Sequence, residues 1–302
     1  SRGKVLTNQD CACTSLQFGD TASRLYASNG QSSNFDFYSI SLDASGIRLV
    51  STVANAFDSF FTRIHYSREN HLIYNDDGTV FDPVAGKRLA NTGVRGPMLP
   101  DVARGRLYYA TSVGNDALSA IDATTFVSVA TPRPFLAGDG GPGRLVRWGS
   151  DGIAMAAGRG GTLIFGGSGT SSFSTAIPMG TSSQLVVAGT FLKLIWDPVT
   201  ARLYASTAST TTSASSPGVT ANSVLAIDPL SGIITAARQF LAAPNALAVS
   251  ADGQFLYVGL DNAGKVQRLK LPSLDLDISF PLGSNSQYGP YYAGDIAVSP
   301  KS

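Results

Sequence analysis

The chain has 302 residues, of which 43% are hydrophobic and 14% are charged. It can therefore bury a sizeable core, although charged residues usually make up about 25% of a protein. Its 22 basic and 21 acidic side chains give a formal net charge of +1, which argues against a basic nucleic-acid-binding stripe or an acidic tail. No apolar run approaches the roughly 18 residues of a membrane span, and the start, SRGKVLTNQD, lacks a signal-peptide hydrophobic region, so any signal was removed or never existed.

The inventory of reactive side chains limits the chemistry. Glu69 is the single glutamate, and His65 and His71 are the two histidines. A glutamate pair for sugar hydrolysis and a three-histidine zinc site therefore cannot be built. Abundant Gly, Ser and Thr with scarce Glu and Lys is typical of strands and tight turns.

A repeated module predicts the strands. It consists of a short apolar strand, a turn with Asp, Gly or Pro, and a strand of the type R-L-Y-A. In chain order the copies are LQFGDTASRLYAS (16–28), IHYSRENHLIY (64–74), LPDVARGRLYYA (99–110), VRWGSDGIAMA (146–156), LIWDPVTARLYAS (194–206), LAVSADGQFLYVG (247–259) and the opening IAVSP (296–300). The tyrosines at equivalent positions of these copies are separated by roughly 46 residues on average, if one copy without the tyrosine lies between Tyr108 and Tyr204. This spacing is typical of propeller repeats.

A second signature follows several of these hairpins: an apolar strand ending in Asp, a turn, and a further strand. It reads YSISLDASGIRLV (38–50), TVFDPVAGKRLA (79–90), LSAIDATTFVSVA (118–130) and VLAIDPLSGIITAA (224–237). Two hairpins per repeat make one four-stranded antiparallel blade. The sequence therefore predicts an all-β fold, a single β-propeller domain over residues 1–302, with six complete blades and a partial seventh.

The seventh blade has only its inner strand, IAVSP. Residues 4–7 (KVLT) are expected to supply an outer strand beside residues 296–299, which would close the ring and protect the edges. Two strands would still be missing. We therefore expect either that the chain is part of a longer polypeptide or that another segment or subunit completes the blade.

One stretch, PNALAVSADGQFLYVGLDNAGKVQRLKL (244–271), resembles the repeat of YVTN-type seven-bladed β-propellers, in the lactonase-like propeller superfamily. The match is carried by Pro244, Ser250, Asp252, Gly253, Tyr257 and Val258. The resemblance covers the whole chain as architecture and is close over this blade alone. It implies a bacterial, often extracytoplasmic protein, with roles from lactone hydrolysis to adhesion and scaffolding. The matching residues are strand and turn residues, so no active site is carried over.

Three loops that follow outer strands are unusually aromatic or basic: 54–63, 131–144 and 282–295. Propeller ligands usually bind where such loops converge at the central channel, and loops carry function when a rigid scaffold positions them. Phe57, Phe60 and Phe61 either fill gaps between blades or contact a partner, and the same two interpretations apply to the tyrosines of 282–295.

Charged residues are predicted to ring the same channel mouth. Arg63, Lys193 and Asp295 align immediately before inner strands, with Arg144 adjacent. Their positive excess suits an anionic group or a partner's carboxylate, unless they only form salt bridges with one another. The predicted partner-binding residues are Arg63, Arg144, Lys193, Tyr288, Tyr291, Tyr292 and Asp295.

No nucleophile–base pair or metal cluster is evident in the sequence. The first hypothesis is a non-enzymatic, extracytoplasmic propeller (periplasmic, secreted or cell-surface) that binds or scaffolds a protein or glycan partner at the channel mouth. The alternative is a lactonase-like hydrolase or polysaccharide lyase using Arg63, Asp295, a tyrosine and His65, held within about 3–4 Å of a common point. Neither hypothesis involves nucleic acid, a membrane span, a metal or a cofactor.

Two smaller features have structural interpretations. Cys11 and Cys13 would lie on one face of a strand about 6.5–7 Å apart, at the limit for a disulfide, so they are predicted to be small buried strand residues, with metal or redox use as the alternative. NDDG (75–78) is predicted to be a hairpin turn rather than a calcium loop, which would need an acidic twelfth position.

The R-L-Y-A strands predict the core. Both faces of a blade pack on neighbouring blades, so consecutive residues of these strands should be buried. These residues are Leu25, Tyr26, Leu107, Tyr108, Leu203, Tyr204, Leu256 and Tyr257.

Overall fold

A computed structural model describes residues 13–112, 116–129, 133–134, 141–150, 152–157, 161–165, 184–211, 216–287 and 289–300. Within these residues the regular structure is β, apart from one 3₁₀ turn at Val102–Arg104. The all-β prediction is therefore confirmed. No helix in the described part of the chain is long and apolar enough to cross a membrane.

The strands form six antiparallel four-stranded sheets in chain order, followed by one short hairpin. Sheets 1 to 3 contain β1 (Ser15–Phe18), β2 (Arg24–Ser28), β3 (Phe37–Asp43), β4 (Gly46–Val53); β5 (Ile64–Ser67), β6 (Leu72–Asn75), β7 (Thr79–Asp82), β8 (Lys87–Asn91); and β9 (Met98–Asp101), β10 (Arg106–Thr111), β11 (Ala117–Asp122), β12 (Arg133–Pro134). Sheets 4 to 6 contain β13 (Pro142–Trp148), β14 (Gly152–Ala157), β15 (Gly161–Phe165), β16 (Gln184–Val187); β17 (Phe191–Asp197), β18 (Arg202–Thr207), β19 (Ser223–Ile227), β20 (Ile234–Gln239); and β21 (Pro244–Val249), β22 (Phe255–Leu260), β23 (Lys265–Lys270), β24 (Asp275–Pro281). The hairpin is β25 (Ser284–Asn285) with β26 (Gly289–Pro290).

The predicted count of six complete blades and a partial seventh is wrong. Five sheets have four strands of at least four residues each, whereas the outermost strand of sheet 3, β12, has two residues. The described residues therefore form five complete blades. Residues 296–300 form no strand, because a strand needs a hydrogen-bonded neighbour and the described residues supply none. Residues 4–7, the other half of the predicted closure, lie outside the described residues.

The chain divides into two compact units. Unit 1 comprises Ser1–Thr111, Leu118–Pro132 and Ala297–Ser302, and unit 2 comprises Ser112–Ala117 and Arg133–Ile296. Sheets 1 and 2 belong to unit 1, and sheets 4, 5 and 6 belong to unit 2. The prediction of a single domain over residues 1–302 stays a prediction.

The core of unit 1 between sheets 1 and 2 is aromatic. The ring of Phe81 lies 4.8 Å from that of Phe37 and 5.7 Å from that of Phe57, and Tyr26 lies 5.6 Å from Phe37, between ring centroids. All four side chains are buried. Such packing removes large apolar surfaces from water and holds the two sheets together.

The core of unit 2 is built from sheet faces. Trp148 of sheet 4 packs in one cluster with Leu194 and Leu203 of sheet 5. On its other face, sheet 5 presents Tyr204 and Val224 to sheet 6. Sheet 5 is therefore covered on both faces, as expected for an internal blade.

The core prediction is confirmed for seven of the eight residues, and Tyr257 is the exception. Leu25, Tyr26, Leu107, Tyr108, Leu203, Tyr204 and Leu256 are buried. Tyr257 is only partly buried. It lies on the face of sheet 6 that points away from sheet 5.

The two smaller predictions have different outcomes. Residues 75–78 are a hairpin turn between β6 and β7, as predicted. Gly78 has φ +91°, and a Cβ there would lie 2.7 Å from the Val94 carbonyl oxygen. For Cys13 the prediction is wrong, since it lies ahead of β1 and is disulfide-bonded. The strand spacing does not apply outside a strand; the chain's other cysteine, Cys11, lies outside the described residues.

Candidate functional site

The four predicted charged residues lie at different places on the strands. Arg63 immediately precedes β5, and its backbone N–H donates to Asp76 Oδ2 at 3.1 Å. Arg144 and Lys193 lie inside β13 and β17, not before them. Asp295 follows the last hairpin, and its Oδ1 accepts the backbone N–H of Ile296 at 3.0 Å. Arg63 belongs to unit 1 and the others to unit 2, so their assembly into one cluster stays a prediction.

The predicted tyrosines are exposed where they are described. Tyr291 and Tyr292 are half exposed or more, and the Tyr291 N–H donates to the Gly283 carbonyl at 3.1 Å. Tyr288 lies outside the described residues. Most of loop 131–144 also lies outside them.

Loop 54–63 separates the three phenylalanines. Phe57 is 2% exposed, whereas Phe60 is 49% exposed and Phe61 is 83% exposed. The gap-filling interpretation therefore holds for Phe57 alone. Phe60 meets Phe35 edge-to-face with ring centroids 4.8 Å apart, and Phe61 lies 6.3 Å from Phe60. We name Phe35, Phe60 and Phe61 the aromatic patch.

The backbone of the patch is held in an unusual conformation. Phe35 and Phe61 have φ of +46° and +58°, a left-handed region that bulky residues rarely adopt. The Phe61 N–H donates to the Gly30 carbonyl at 2.9 Å, and the Phe57 N–H donates to the Phe35 carbonyl at 3.2 Å. Backbone strain of this kind persists where surrounding contacts over-determine it, and it concentrates at functional sites.

Arg88, on the outer strand β8, binds loop 54–63 through hydrogen bonds from its side chain. Its guanidinium donates two hydrogen bonds to the Asp58 carboxylate, both 2.7 Å long, and three to backbone carbonyls. The carbonyls belong to Asn55 (2.8 Å), Ala56 (2.9 Å) and Phe57 (2.8 Å). On the other side, the Asp58 N–H donates to the buried Asp77 carboxylate at 2.7 Å. The loop carrying Phe60 and Phe61 is therefore preorganised.

Sequence reasoning missed Arg88. It lies 30 residues from Asp58, and its local pattern, K-R-L on an outer strand, is that of an ordinary solvated residue. The Asp58–Arg88 pairing depends on how adjacent sheets pack, which no local signal encodes.

We expect Arg88→Lys to loosen this loop while the fold is retained. A lysine offers a point charge and cannot reproduce five hydrogen bonds from a planar fork. Amide protons of Phe57 and Phe61 should exchange about tenfold faster, measured by hydrogen exchange with mass spectrometry. Arg202→Lys is the matched control, because Arg202 donates to the Ala201 carbonyl beside it. Unchanged exchange in loop 54–63 would contradict the role of Arg88.

The histidine of the enzyme hypothesis is part of a structural junction. His65 Nε2 lies 2.8 Å from Asp76 Oδ1, which also accepts the Met98 N–H at 3.1 Å. In the part of the chain that the structure describes, His65 is not hydrogen-bonded to a hydroxyl or thiol. Burial is the first cause that raises the pKa of the Tyr66 and Tyr74 phenols, so both stay protonated at neutral pH. A nucleophile–base pair is therefore not assembled around His65.

Comparison with known proteins identifies the fold. No protein-family model and no curated protein matches the sequence. Among solved structures, a β-propeller domain from Myceliophteria thermophila is 13% identical over 95% of this chain and 90% of its own, with a TM-score of 0.65. The WD40 repeats of RRP9 are 13% identical over 94% of this chain and 83% of their own, with a TM-score of 0.67. A protein from Bacteroides uniformis, assigned as a 6-phosphogluconolactonase, is 15% identical over 89% of this chain and 85% of its own, with a TM-score of 0.64. The YVTN family is not confirmed by these likenesses, which at such identities show the fold alone: the chain is an all-β β-propeller.

Proposed function

We propose that this β-propeller is a non-enzymatic scaffold that binds a protein partner through the aromatic patch. The observation that carries the proposal is the exposure of Phe60 and Phe61 on a loop that Arg88 and Asp77 hold in place. Aromatic side chains dominate binding energy at protein interfaces. A rigid loop presents them without the entropic penalty of ordering on binding.

The geometry favours a protein over a glycan. The rings of Phe35 and Phe60 meet at 74°, so they do not make a flat platform on which a sugar ring could stack. An edge-to-face pair instead offers a ridged apolar surface of the kind that protein side chains fit. The likeness to a WD40 propeller supports the same role, because propellers present loops from a rigid scaffold.

The predicted charged face belongs to this proposal as a second contact region. Arg63 lies two residues beyond Phe61 in the chain, at the end of the same loop. We propose that Arg63, Arg144, Lys193 and Asp295, with the exposed tyrosines of 282–295, contact the same partner. The arginines would bind its carboxylates.

We also propose an extracytoplasmic setting. The disulfide of Cys13 supports it, because disulfides persist mainly in oxidising compartments. Protein isolated from its source with free thiols blocked at once should carry no modified cysteine by mass spectrometry. Full modification of both cysteines would contradict the proposal.

The patch is tested by replacing Phe60 and Phe61 together with serine. A photo-crosslinking residue at position 61, introduced in the source organism, identifies the partner, and the purified pair then gives a dissociation constant. Because two exposed aromatic contacts are removed, we expect affinity to fall at least about thirtyfold, as for central interface residues. Val84→Ser is the matched control, since Val84 is equally apolar and exposed on the β7–β8 turn. Equal affinity of a folded double variant and the wild type would refute the patch.

A further inference from the structure

The outer face of sheet 6, the face turned away from sheet 5, repeats a surface that is buried elsewhere in the molecule. On sheet 5, Tyr204, Val224 and Phe240 are buried in a cluster with sheet 6. The side chains of sheet 6 that cover them are aliphatic. They are Leu247, Leu256, Val258, Leu260, Leu269 and Leu274.

The same positions recur one sheet further along the chain. The strand modules align Tyr204 with Tyr257. Tyr204 pairs with Ala226 and Tyr257 pairs with Arg268, so the residues two positions before these partners, Val224 and Val266, are also equivalent. Val266 pairs with Phe280 of the outermost strand. Tyr257 and Val266 are only partly buried, whereas Tyr204 and Val224 are inaccessible to solvent.

The outermost strand β24 extends this apolar surface. Ile278 is 44% exposed and Phe280 is 38% exposed, and the Phe280 ring lies 6.3 Å from that of Tyr257. Alternation along a strand places Ile278 and Phe280 on one face. Toward the inner strands the face is partly covered, because Ala293 lies against Gly259. The rest is an exposed apolar strip of a kind that marks interaction surfaces.

One charge stands at the centre of the face and is already satisfied. Arg268 takes the position of Ala226 on sheet 5. Its Nε donates to Asp277 Oδ2 at 2.6 Å, and its guanidinium lies 4.3 Å from the centre of the Phe255 ring. Covering Arg268 would therefore not leave its charge unpaired.

We propose that the outer face of sheet 6, defined by Tyr257, Val266, Arg268, Ile278 and Phe280, binds a β-hairpin of a partner polypeptide. The occupant carries aliphatic side chains at alternate positions, spaced as on β22 and β23 of this chain. Sheet 4 is covered by sheet 5, and sheet 5 is covered by sheet 6 through this type of contact. The outer face of sheet 6 presents the same positions again, so it continues an established series of interfaces. This surface shares no residue with the aromatic patch, so either proposal can fail alone.

The test uses as its probe a peptide of residues 253–275 of this chain, cyclised because an isolated hairpin is marginally stable. This segment contains most of the aliphatic residues that cover sheet 5. It should bind the full chain, measured by fluorescence anisotropy. Ile278→Lys should weaken binding at least about tenfold, because it places a charge in an apolar contact. Leu230→Lys is the control and should bind as the wild type does, since Leu230 is exposed on the turn between β19 and β20.

Three results would overturn the proposal. The first is that the peptide binds Ile278→Lys and wild type equally. The second is that it binds neither while both are folded by circular dichroism. The third is a wild-type dimer in sedimentation that Ile278→Lys dissociates, which would assign the face to a second copy. A monomeric wild type that binds the peptide, with loss in Ile278→Lys alone, would support it.

Discussion

Replacing Phe81 with alanine should lower the free energy of unfolding by about 3–5 kcal/mol, the range for a large buried aromatic residue. Phe81 is inaccessible to solvent and makes two ring contacts in the core between sheets 1 and 2, at 4.8 Å to Phe37 and 5.7 Å to Phe57. The close-packed surroundings can collapse only partly into the space left behind. Denaturant unfolding followed by circular dichroism measures the loss.

The same change should reach the aromatic patch. Phe57 anchors loop 54–63 in this core, so removing the Phe81 ring loosens the loop that presents Phe60 and Phe61. Leu203→Ala is the matched control, because Leu203 is equally buried in unit 2 and should lose about 2–5 kcal/mol without affecting the loop. A loss below about 0.5 kcal/mol for either variant, the range of surface sites, would mean that the core has been misassigned.

The strands could be predicted from sequence because their signals are local. The R-L-Y-A copies coincide with β2 (Arg24–Ser28), β10 (Arg106–Thr111) and β18 (Arg202–Thr207). In each copy, alternating side chains and a preceding turn lie within about a dozen residues, so the pattern specifies both the strand and its hairpin partner.

The blade count failed where strand formation depends on distant partners. IAVSP at 296–300 has the same local pattern as the start of β21–β22, yet it forms no strand. A residue favours a strand because its side chain packs well against a neighbouring strand and a buried face. The local sequence does not show whether such a neighbouring strand is present. The burial of Tyr257 failed for the same reason, since its module is intact but no further sheet of unit 2 covers it.

The candidate site could be predicted only as far as local sequence signals reach. Composition marked loop 54–63 as aromatic, but it could not separate buried Phe57 from exposed Phe60 and Phe61. That distinction depends on the backbone turn at Phe61 and on Arg88, which approaches from another strand. Long-range side-chain contacts of this type leave no periodic trace in the sequence.

Asp76→Ala should be the most disruptive polar substitution, with an expected loss of about 3–5 kcal/mol in the free energy of unfolding. The Asp76 side chain is 12% exposed and accepts hydrogen bonds from His65 Nε2 at 2.8 Å and from the backbone of Arg63 and Met98, both at 3.1 Å. Since Met98 begins β9 and Arg63 precedes β5, one carboxylate ties sheet 2 to sheet 3. Alanine leaves partly or wholly buried donors without an acceptor.

Asp76→Asn separates hydrogen bonding from packing at this junction. The amide has nearly the same shape and keeps one acceptor oxygen, so its loss should be smaller, about 1–2 kcal/mol. Asp43→Ala is the surface control, because Asp43 is exposed and accepts the Ser45 N–H at 2.7 Å in a hairpin turn; it should change stability by less than about 0.5 kcal/mol. Both free energies come from the same denaturant titration as for Phe81. If Asp76→Ala were no more destabilising than Asp43→Ala, water would be satisfying the donors and the junction would not hold sheets 2 and 3 together. If the loss decreases from Asp76→Ala to Asp76→Asn to Asp43→Ala, the Asp76 carboxylate holds sheets 2 and 3 together at the end of loop 54–63.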